Sequence, residues 1–395
     1  MITQRLSGKR YDTLEPVMIS WEGGRIQTVE PLRVDDEDTK KLPYLAPGLF
    51  DMQINGYGGI WFCKRGLTVD EAIQAIEPYL AAGVTKLFPT LITSSHEALA
   101  DGFATLKEVC EEHPEIDQLV AGCHLEGPYL SAEDGSRGAH PLEHIRPADW
   151  TEFSKLQELS GNRIKLITVA PEQEGVLEFI PKAVNSGVVV SIGHTAASPD
   201  LIRAAADAGA RMSTHLGNGA QGMIRRHPNY IWEQLADDRL HCCLITDGHH
   251  IPGSVAKIAY RVKGYERMLI TCDASGLAGL SPGVYESESL NVEILEDGRH
   301  VIAGQNQLLA GSGATTEMCV AELPRMVEEI SLADAVDFAS RNPGRLFGIE
   351  TGLLEPGGLA DMIQFDYDES AARIDILKTV VEGQLRYTRS GQASE

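Results

Sequence analysis

Apolar positions along the chain gather into short unbroken runs separated by amphipathic stretches. The runs are Leu49–Asn55, Lys86–Thr93, Leu119–Glu126, Ile164–Pro171, Val188–His194, Arg211–His215, His241–Asp247 and Met268–Asp273. Most are continuous rather than alternating, which is the pattern of strands buried on both faces. Between them, helical periodicity predicts helices at Val69–Ala82, His96–His113, Val176–Ser186, Pro199–Ala208 and Gly253–Val262. Gly83, Gly187 and Gly209 fall just past such segments, where a helix end favours a left-handed residue. Buried strands alternating with helices over this length predict an α/β fold, a (β/α)8 TIM-type barrel. A doubly wound open sheet is the alternative. The barrel is favoured because polar residues close the runs: Asn55, Thr93, Glu126, Glu172, His194, His215, Asp247 and Asp273. In a barrel these ends converge on one mouth, whereas an open sheet spreads them along an edge.

The two ends of the chain read differently. Residues 1–45 carry strand-like pieces such as Val17–Trp21 and Arg25–Val29 around Gly23-Gly24. Residues 350–395 carry Asp361–Asp366, Lys378–Val381 and Gly383–Tyr387. Neither end is long enough to fold alone, so the two are expected to meet as one small β-sandwich beside a barrel spanning 46–349. Leu290–Leu295 and His300–Ala303 flank Asp297-Gly298, the signature of a β-hairpin inserted around 285–305, after the last barrel strand.

Composition narrows the function. Among 395 residues, Lys and Arg number 34 and Asp and Glu 57, a net charge of −23. That balance opposes binding to nucleic acid or to an anionic membrane, both of which need clustered Lys and Arg. No apolar run approaches the ~20 residues needed to span a bilayer. The first residues, Met1 to Gly8, lack the apolar segment of a secretory signal. The seven Cys residues are odd in number, show no CxxC spacing and sit mostly in apolar runs. A cytoplasmic protein with reduced core thiols is therefore expected.

The strand-end residues suggest a chemistry. Glu126, His194 and His215 each close an apolar run and precede a turn. One Glu and two His suffice to hold a catalytic divalent ion while leaving a position open for water. Such an ion makes hydroxide available near neutral pH. Asp273, at the end of the eighth run, is placed either to move a proton to and from that water or to cap the following turn. His249-His250 follow the seventh run, and adjacent side chains diverge, so at most one faces the mouth. His140, in the loop after the third run, reads from spacing alone as an exposed loop residue. Arg225-Arg226-His227 form the one compact basic cluster near the presumed mouth, fit either for solvent or for an anionic substrate group.

These motifs, taken in order, resemble the amidohydrolase superfamily and within it the N-acetylglucosamine-6-phosphate deacetylases. The resemblance rests on Ala46-Pro47-Gly48-Leu49-Phe50-Asp51, Gln53-Ile54-Asn55-Gly56, Phe88-Pro89-Thr90-Leu91-Ile92-Thr93 and His124-Leu125-Glu126-Gly127-Pro128. It continues through Gly193-His194-Thr195, Thr214-His215-Leu216-Gly217-Asn218, Asp247-Gly248-His249-His250, Asp273-Ala274 and Leu309-Ala310-Gly311-Ser312, and so covers nearly the whole chain. It implies one divalent ion on Glu126, His194 and His215, zinc first, with iron, manganese or cobalt accepting the same set. Gln53 and Asn55 stand where many amidohydrolases carry His-x-His, vestiges of a second metal position. The resemblance implies that Asp273 transfers the proton and that His140 stabilises the developing oxyanion. It places Asn218, Gly219, Ala220, Arg226 and His250 on the sugar phosphate. It further implies a homodimer, with Arg226 able to act across the interface.

The hydrolytic residues match the pattern, while the substrate shell departs from it. Gly217 replaces an aromatic residue, His227-Pro228-Asn229 replace an acidic residue followed by Pro-Gly, and Ala274-Ser275-Gly276 stand where Thr-Ala usually follows the Asp. Deacetylation of another acetamido sugar is therefore the main alternative, and a non-catalytic binding paralogue the minor one.

Overall fold

The computed structural model describes residues 3–286, 291–351 and 353–390. The eight apolar runs become eight strands: β1 (Leu49–Ile54), β2 (Val84–Ile92), β3 (Cys123–Glu126), β4 (Ile164–Val169), β5 (Val189–Ile192), β6 (Met212–Ser213), β7 (His241–Ile245) and β8 (Met268–Thr271). They lie in one sheet in sequence order, each pairing in parallel with the next. The sheet curls until β8 meets β1. Ile54 and Ala274 bridge in parallel, and the Asn55 amide donates to the Ala274 carbonyl at 2.9 Å. This near-closed barrel replaces the open-sheet alternative. Most strands are shorter than the apolar runs because the runs continue into the mouth as turns.

The helices fall where periodicity places them, at Val69–Ile76 with a 3-10 turn to Ala82, His96–Glu112, Val176–Asn185, Pro199–Ala208 and Gly253–Lys263. Their starts are capped by side chains: Thr68 forms a capping box with Glu71, and Ser95 and Ser198 accept from Ala98 and Leu201. Gly83, Gly187 and Gly209 take φ of 76°, 84° and 121° at or just past the helix ends.

The barrel interior is layered. Its floor is apolar, with Phe50, Met52, Phe88, Leu166, Met212, Cys243 and Leu269 packed over Phe347. Above it runs a belt of polar contacts. His124 Nε2 lies 2.8 Å from Thr168 Oγ1, which lies 2.8 Å from Thr214 Oγ1, itself 2.6 Å from Ser191 Oγ. The strand-end residues lie above the belt. Asp51 ties the β1–β8 seam. Its carboxylate accepts from the Gln53 amide at 3.0 Å, the Thr271 hydroxyl at 2.5 Å, the Cys272 amide at 2.9 Å and the Thr316 hydroxyl at 2.7 Å.

Strands from both chain ends form one seven-stranded sheet, in the order Gln384–Thr388, Arg373–Val381, Met362–Asp368, Tyr44–Pro47, Gln4–Arg10, Pro16–Glu22, Arg25–Pro31. It folds back on itself: the Ile26 amide donates to the Gly358 carbonyl at 2.9 Å and Trp21 Nε1 donates to the Gly383 carbonyl at 2.8 Å. Tyr44–Pro47 belongs to this sheet and leads through Gly48 directly into β1. The inserted hairpin pairs Val292–Ile294 with His300–Ile302, and Gly283–Tyr285 and Gln305–Leu309 extend it to four strands. Leu290, the start of the expected hairpin strand, lies outside the described residues. Among the described residues no helix is long and apolar enough to cross a membrane.

Candidate active site

The C-terminal ends of β3, β5, β6 and β8 deliver Glu126, His194, His215 and Asp273 to the barrel mouth, all buried. Three of these residues leave ordinary strand geometry to get there. His194, His215 and Asp273 have φ of 48°, 27° and 49°, conformations that cost about 1–3 kcal/mol each in a non-glycine residue. The turn after each strand thus aims the side chain across the mouth instead of along the sheet.

The nitrogen and oxygen atoms converge closely. His215 Nε2 lies 3.0 Å from Glu126 Oε1. His194 Nε2 lies 3.3 Å from the same oxygen and 3.2 Å from His215 Nε2. His140 enters from the loop after β3, with Nε2 at 3.2 Å from His194 Nε2 and 4.0 Å from Glu126 Oε2. Glu126, His140 and His194 each offer a ligand atom within 4.8 Å of the others. His140 is 6% exposed, so the exposed-loop reading of that residue is overturned: its loop folds back over the mouth and Thr93 takes its Nδ1.

The hydrogen bonds behind the rings show that this cluster suits a cation. His194 Nδ1 donates to the Ser136 carbonyl at 3.0 Å, which leaves its Nε2 as a lone pair. The Thr93 hydroxyl donates to the Glu126 carbonyl at 3.3 Å and so accepts from His140 Nδ1 at 2.9 Å, leaving His140 Nε2 bare as well. Bare nitrogens at 3.2 Å from each other and beside a carboxylate repel, and a divalent ion among them relieves that repulsion. The donor set of one carboxylate and imidazole nitrogens therefore fits such an ion. Electrostatics follow the same geometry. Burial, then His194, pushes His140 down to about 3. Burial opposes ionisation of Glu126, but the imidazoles of His194 and His215 beside it outweigh it and hold its carboxyl well below the usual range.

The Gln53 and Asn55 amides occupy the first strand's end as donors. Gln53 Nε2 donates to Glu126 Oε1 at 2.9 Å. Asn55 Nδ2 donates to Asp273 Oδ1 at 2.8 Å and to the Ala274 carbonyl at 3.1 Å. Asp273 is a buried acid, raised to about 7 first by burial and then by the Glu126 carboxylate. A carboxyl titrating near neutrality suits a group that takes up and returns a proton.

The substrate-side residues divide. Leu216, Gly217, Asn218, Gly219 and Ala220 line a cleft with His194. Gly219 lies against the His194 ring, and a Cβ there would come within 2.5 Å of Nδ1. Gly217 has φ of 100°, a backbone that disfavours any residue with a Cβ. His250 lies at the mouth beside Asp247, while His249 is exposed. Arg226 sits on the exposed loop 222–228 and does not line this cleft. Glu172 does not reach the centre: it accepts from the Thr195 hydroxyl and the Ala196 amide, both at 2.5 Å, and so anchors the loop after His194. Sequence reasoning missed the Ser136 carbonyl and His124. His124 carried a signal, because it stands two residues before Glu126 and so shares its strand face.

A near-closed (β/α)8 barrel with a Glu/His cluster and a buried carboxyl raised toward neutrality at its C-terminal mouth defines a metal-dependent hydrolase. The chain belongs to the amidohydrolase family, whose model matches residues 44–386; it is a hydrolase acting on an amide bond. It is 30% identical over 378 residues to the N-acetylglucosamine-6-phosphate deacetylase of Bacillus subtilis, covering 92% of this chain and 91% of that one. It is 28% identical over 369 residues to the N-acetylgalactosamine-6-phosphate deacetylase of Escherichia coli O157:H7, covering 92% of each. Among solved structures, a mutant N-acetyl-D-glucosamine-6-phosphate deacetylase from Mycobacterium smegmatis in complex with N-acetyl-D-glucosamine-6-phosphate aligns with a TM-score of 0.85. That match is 28% identical and covers 98% of this chain and all (100%) of that one.

Proposed function

We propose that this enzyme hydrolyses the acetamido group of N-acetylglucosamine 6-phosphate, giving glucosamine 6-phosphate and acetate. The observation that carries the reading is the match over 98% of the chain, at a TM-score of 0.85, to a deacetylase holding that sugar phosphate. The hydrolytic residues that reaction needs stand together at this mouth.

Glu126, His194 and His215 would hold one divalent ion, zinc first, and His140, whose ligand atom groups with those of Glu126 and His194, lies beside them. When bound, the ion supplies Lewis acidity toward the acetyl carbonyl and lowers the pKa of water. Asp273 accepts the proton of the attacking water and returns it to the departing sugar amine, held in place by Asn55. His140 meets the oxygen on which negative charge develops with its ring proton on Nε2, the tautomer in which the Thr93 hydroxyl turns from the Glu126 carbonyl and donates to Nδ1. Asn218, Gly219 and Ala220 hold the sugar phosphate with His250, and Arg226 supplies a guanidinium to its phosphate.

Because Arg226 is exposed on its own chain, it is assigned to the site of a second copy in a homodimer. An apolar stripe supports that assembly: Val255, Ile258 and Val262 are 38%, 44% and 47% exposed along one helix, and Trp232 on the preceding helix is 50% exposed. The seven cysteines are free thiols, in keeping with a cytoplasmic enzyme.

A second reading, deacetylation of N-acetylgalactosamine 6-phosphate, is favoured by the Escherichia coli relative, which is nearly as similar. The test is to incubate metal-loaded protein with each sugar phosphate and quantify acetate and free amine. Equimolar release of both from the gluco sugar supports the proposal. Release from the galacto sugar alone supports the second reading.

A further inference from the structure

Asp247 and His250, just beyond the end of β7, form a pair that the reaction above does not use as a pair. Asp247 Oδ2 lies 2.7 Å from His250 Nδ1, and both side chains are 5% exposed. Asp247 Oδ1 accepts from the backbone amides of His249 and His250, each at 2.9 Å. Ser312 Oγ donates to Oδ2 at 3.2 Å. Ser312 is itself tied to the strand end that carries Asp273: its amide donates to the Asp273 carbonyl at 3.0 Å, and its carbonyl accepts from the Ser275 amide at 2.9 Å. A carboxylate bound from this many directions cannot swing to a reacting atom. It can fix the ring beside it and register that ring against Asp273.

We infer that Asp247 is a positioning residue that holds His250 with Nδ1–H committed to the carboxylate, so that Nε2 is left to accept from a hydroxyl of the bound sugar phosphate. The inference rests on the reading of His250 as a substrate contact. Two further facts support it. Burial opposes the ionisation of Asp247, but its hydrogen bond with His250 outweighs it and brings the carboxyl down to about 2, so the partner stays charged at working pH. The backbone amides also settle what Asn would do here. They require an oxygen at the Oδ1 position, which turns the amide nitrogen of Asn toward His250 Nδ1. Nδ1 must then accept, and the ring proton moves to Nε2. Asp247→Asn therefore keeps the shape and reverses the tautomer of the neutral ring.

The test is a double-mutant cycle with metal-loaded wild type, Asp247→Asn, His250→Ala and the double variant on N-acetylglucosamine 6-phosphate, with melting temperature and metal content checked for each. Asp247→Asn is expected to lower kcat/KM by on the order of 10- to 100-fold, the scale of one charge-assisted hydrogen bond, more through KM than kcat. The double variant is expected to be no worse than His250→Ala. Wild-type kinetics in Asp247→Asn, or a full-size loss on top of His250→Ala, overturns the inference while leaving the substrate contact standing. An unimpaired His250→Ala overturns the contact itself. Should Asp247→Asn not fold, Ser312→Ala takes its place in the cycle. A smaller rise in KM that vanishes in the His250→Ala background supports the inference, and one that persists there overturns it.

Discussion

Asn55 Nδ2 donates to Asp273 Oδ1 at 2.8 Å, joining the first and last barrel strands through the carboxyl proposed to move the proton. An amide at this place orients the carboxyl: it fixes one oxygen and leaves the other free for water and amine. Asn55→Ala is expected to lower kcat roughly 10-fold, with KM and bound metal nearly unchanged. Unchanged kcat would show that Asp273 is held by its backbone alone.

Asp273→Asn is expected to keep the ion and the melting temperature but to lower turnover by on the order of 10²–10⁴-fold, the scale of positioned acid–base catalysis. Steady-state kinetics beside elemental analysis reads both quantities. Turnover within tenfold of wild type would remove Asp273 from the proton path.

Gln53 stands two residues before Asn55 at the same strand end, where its amide holds Glu126 Oε1 at 2.9 Å. Gln53→Ala is expected to weaken metal binding about 10- to 100-fold, as loss of an outer partner of a metal ligand does. Chelator competition measures this directly. Equal affinity in the variant would mean that the His194 and His215 rings alone orient the carboxylate.

Arg226→Ala is expected to raise KM for the phosphorylated sugar on the order of 10-fold or more and to leave the unphosphorylated sugar nearly untouched. Equal effects on both substrates would remove the phosphate role. Activity restored by mixing Arg226→Ala with Asp273→Asn subunits would place the guanidinium in the neighbouring copy's site.

Asp51 carries stability instead of chemistry. Its removal in Asp51→Ala strands buried donors from Gln53, Thr271, Cys272 and Thr316 at the β1–β8 seam. A destabilisation of roughly 3 kcal/mol or more in denaturant unfolding is expected. A loss under about 1 kcal/mol would show that the seam closes through its backbone bridge alone.

The barrel was legible because strands buried on both faces leave continuous apolar runs, and because their polar ends follow in register. The ends of the runs were overread for the same reason. Leu119 and Val120 are as apolar as β3, yet only the isolated Leu87–Val120 bridge joins them to the sheet. Gln4–Arg10 and Tyr44–Pro47 carried little strand signal: Tyr44–Pro47 is placed by Met362–Asp368 from the far end of the chain, and Gln4–Arg10 by Pro16–Glu22 and by Tyr44–Pro47 itself. Glu126, His194, His215 and Asp273 could be picked out by position at strand ends. His140 could not, because a loop has no period; only the resemblance pointed to it, and Thr93 and His194 show why it is buried. The Asp247–His250 pairing and the donor roles of Gln53 and Asn55 depend on side-chain direction, which no spacing encodes.

Deacetylation of N-acetylglucosamine 6-phosphate at this mouth is open to direct assay. The most direct measurement is kcat/KM for acetate release by metal-loaded protein from that sugar, beside free N-acetylglucosamine and N-acetylgalactosamine 6-phosphate. The account predicts a value of about 10⁴ M⁻¹s⁻¹ or more for the first substrate and far lower values for the other two. Weak, equal activity on all three would contradict it, and would mean that Gly217 and His227-Pro228-Asn229 shape the cleft for another acyl substrate.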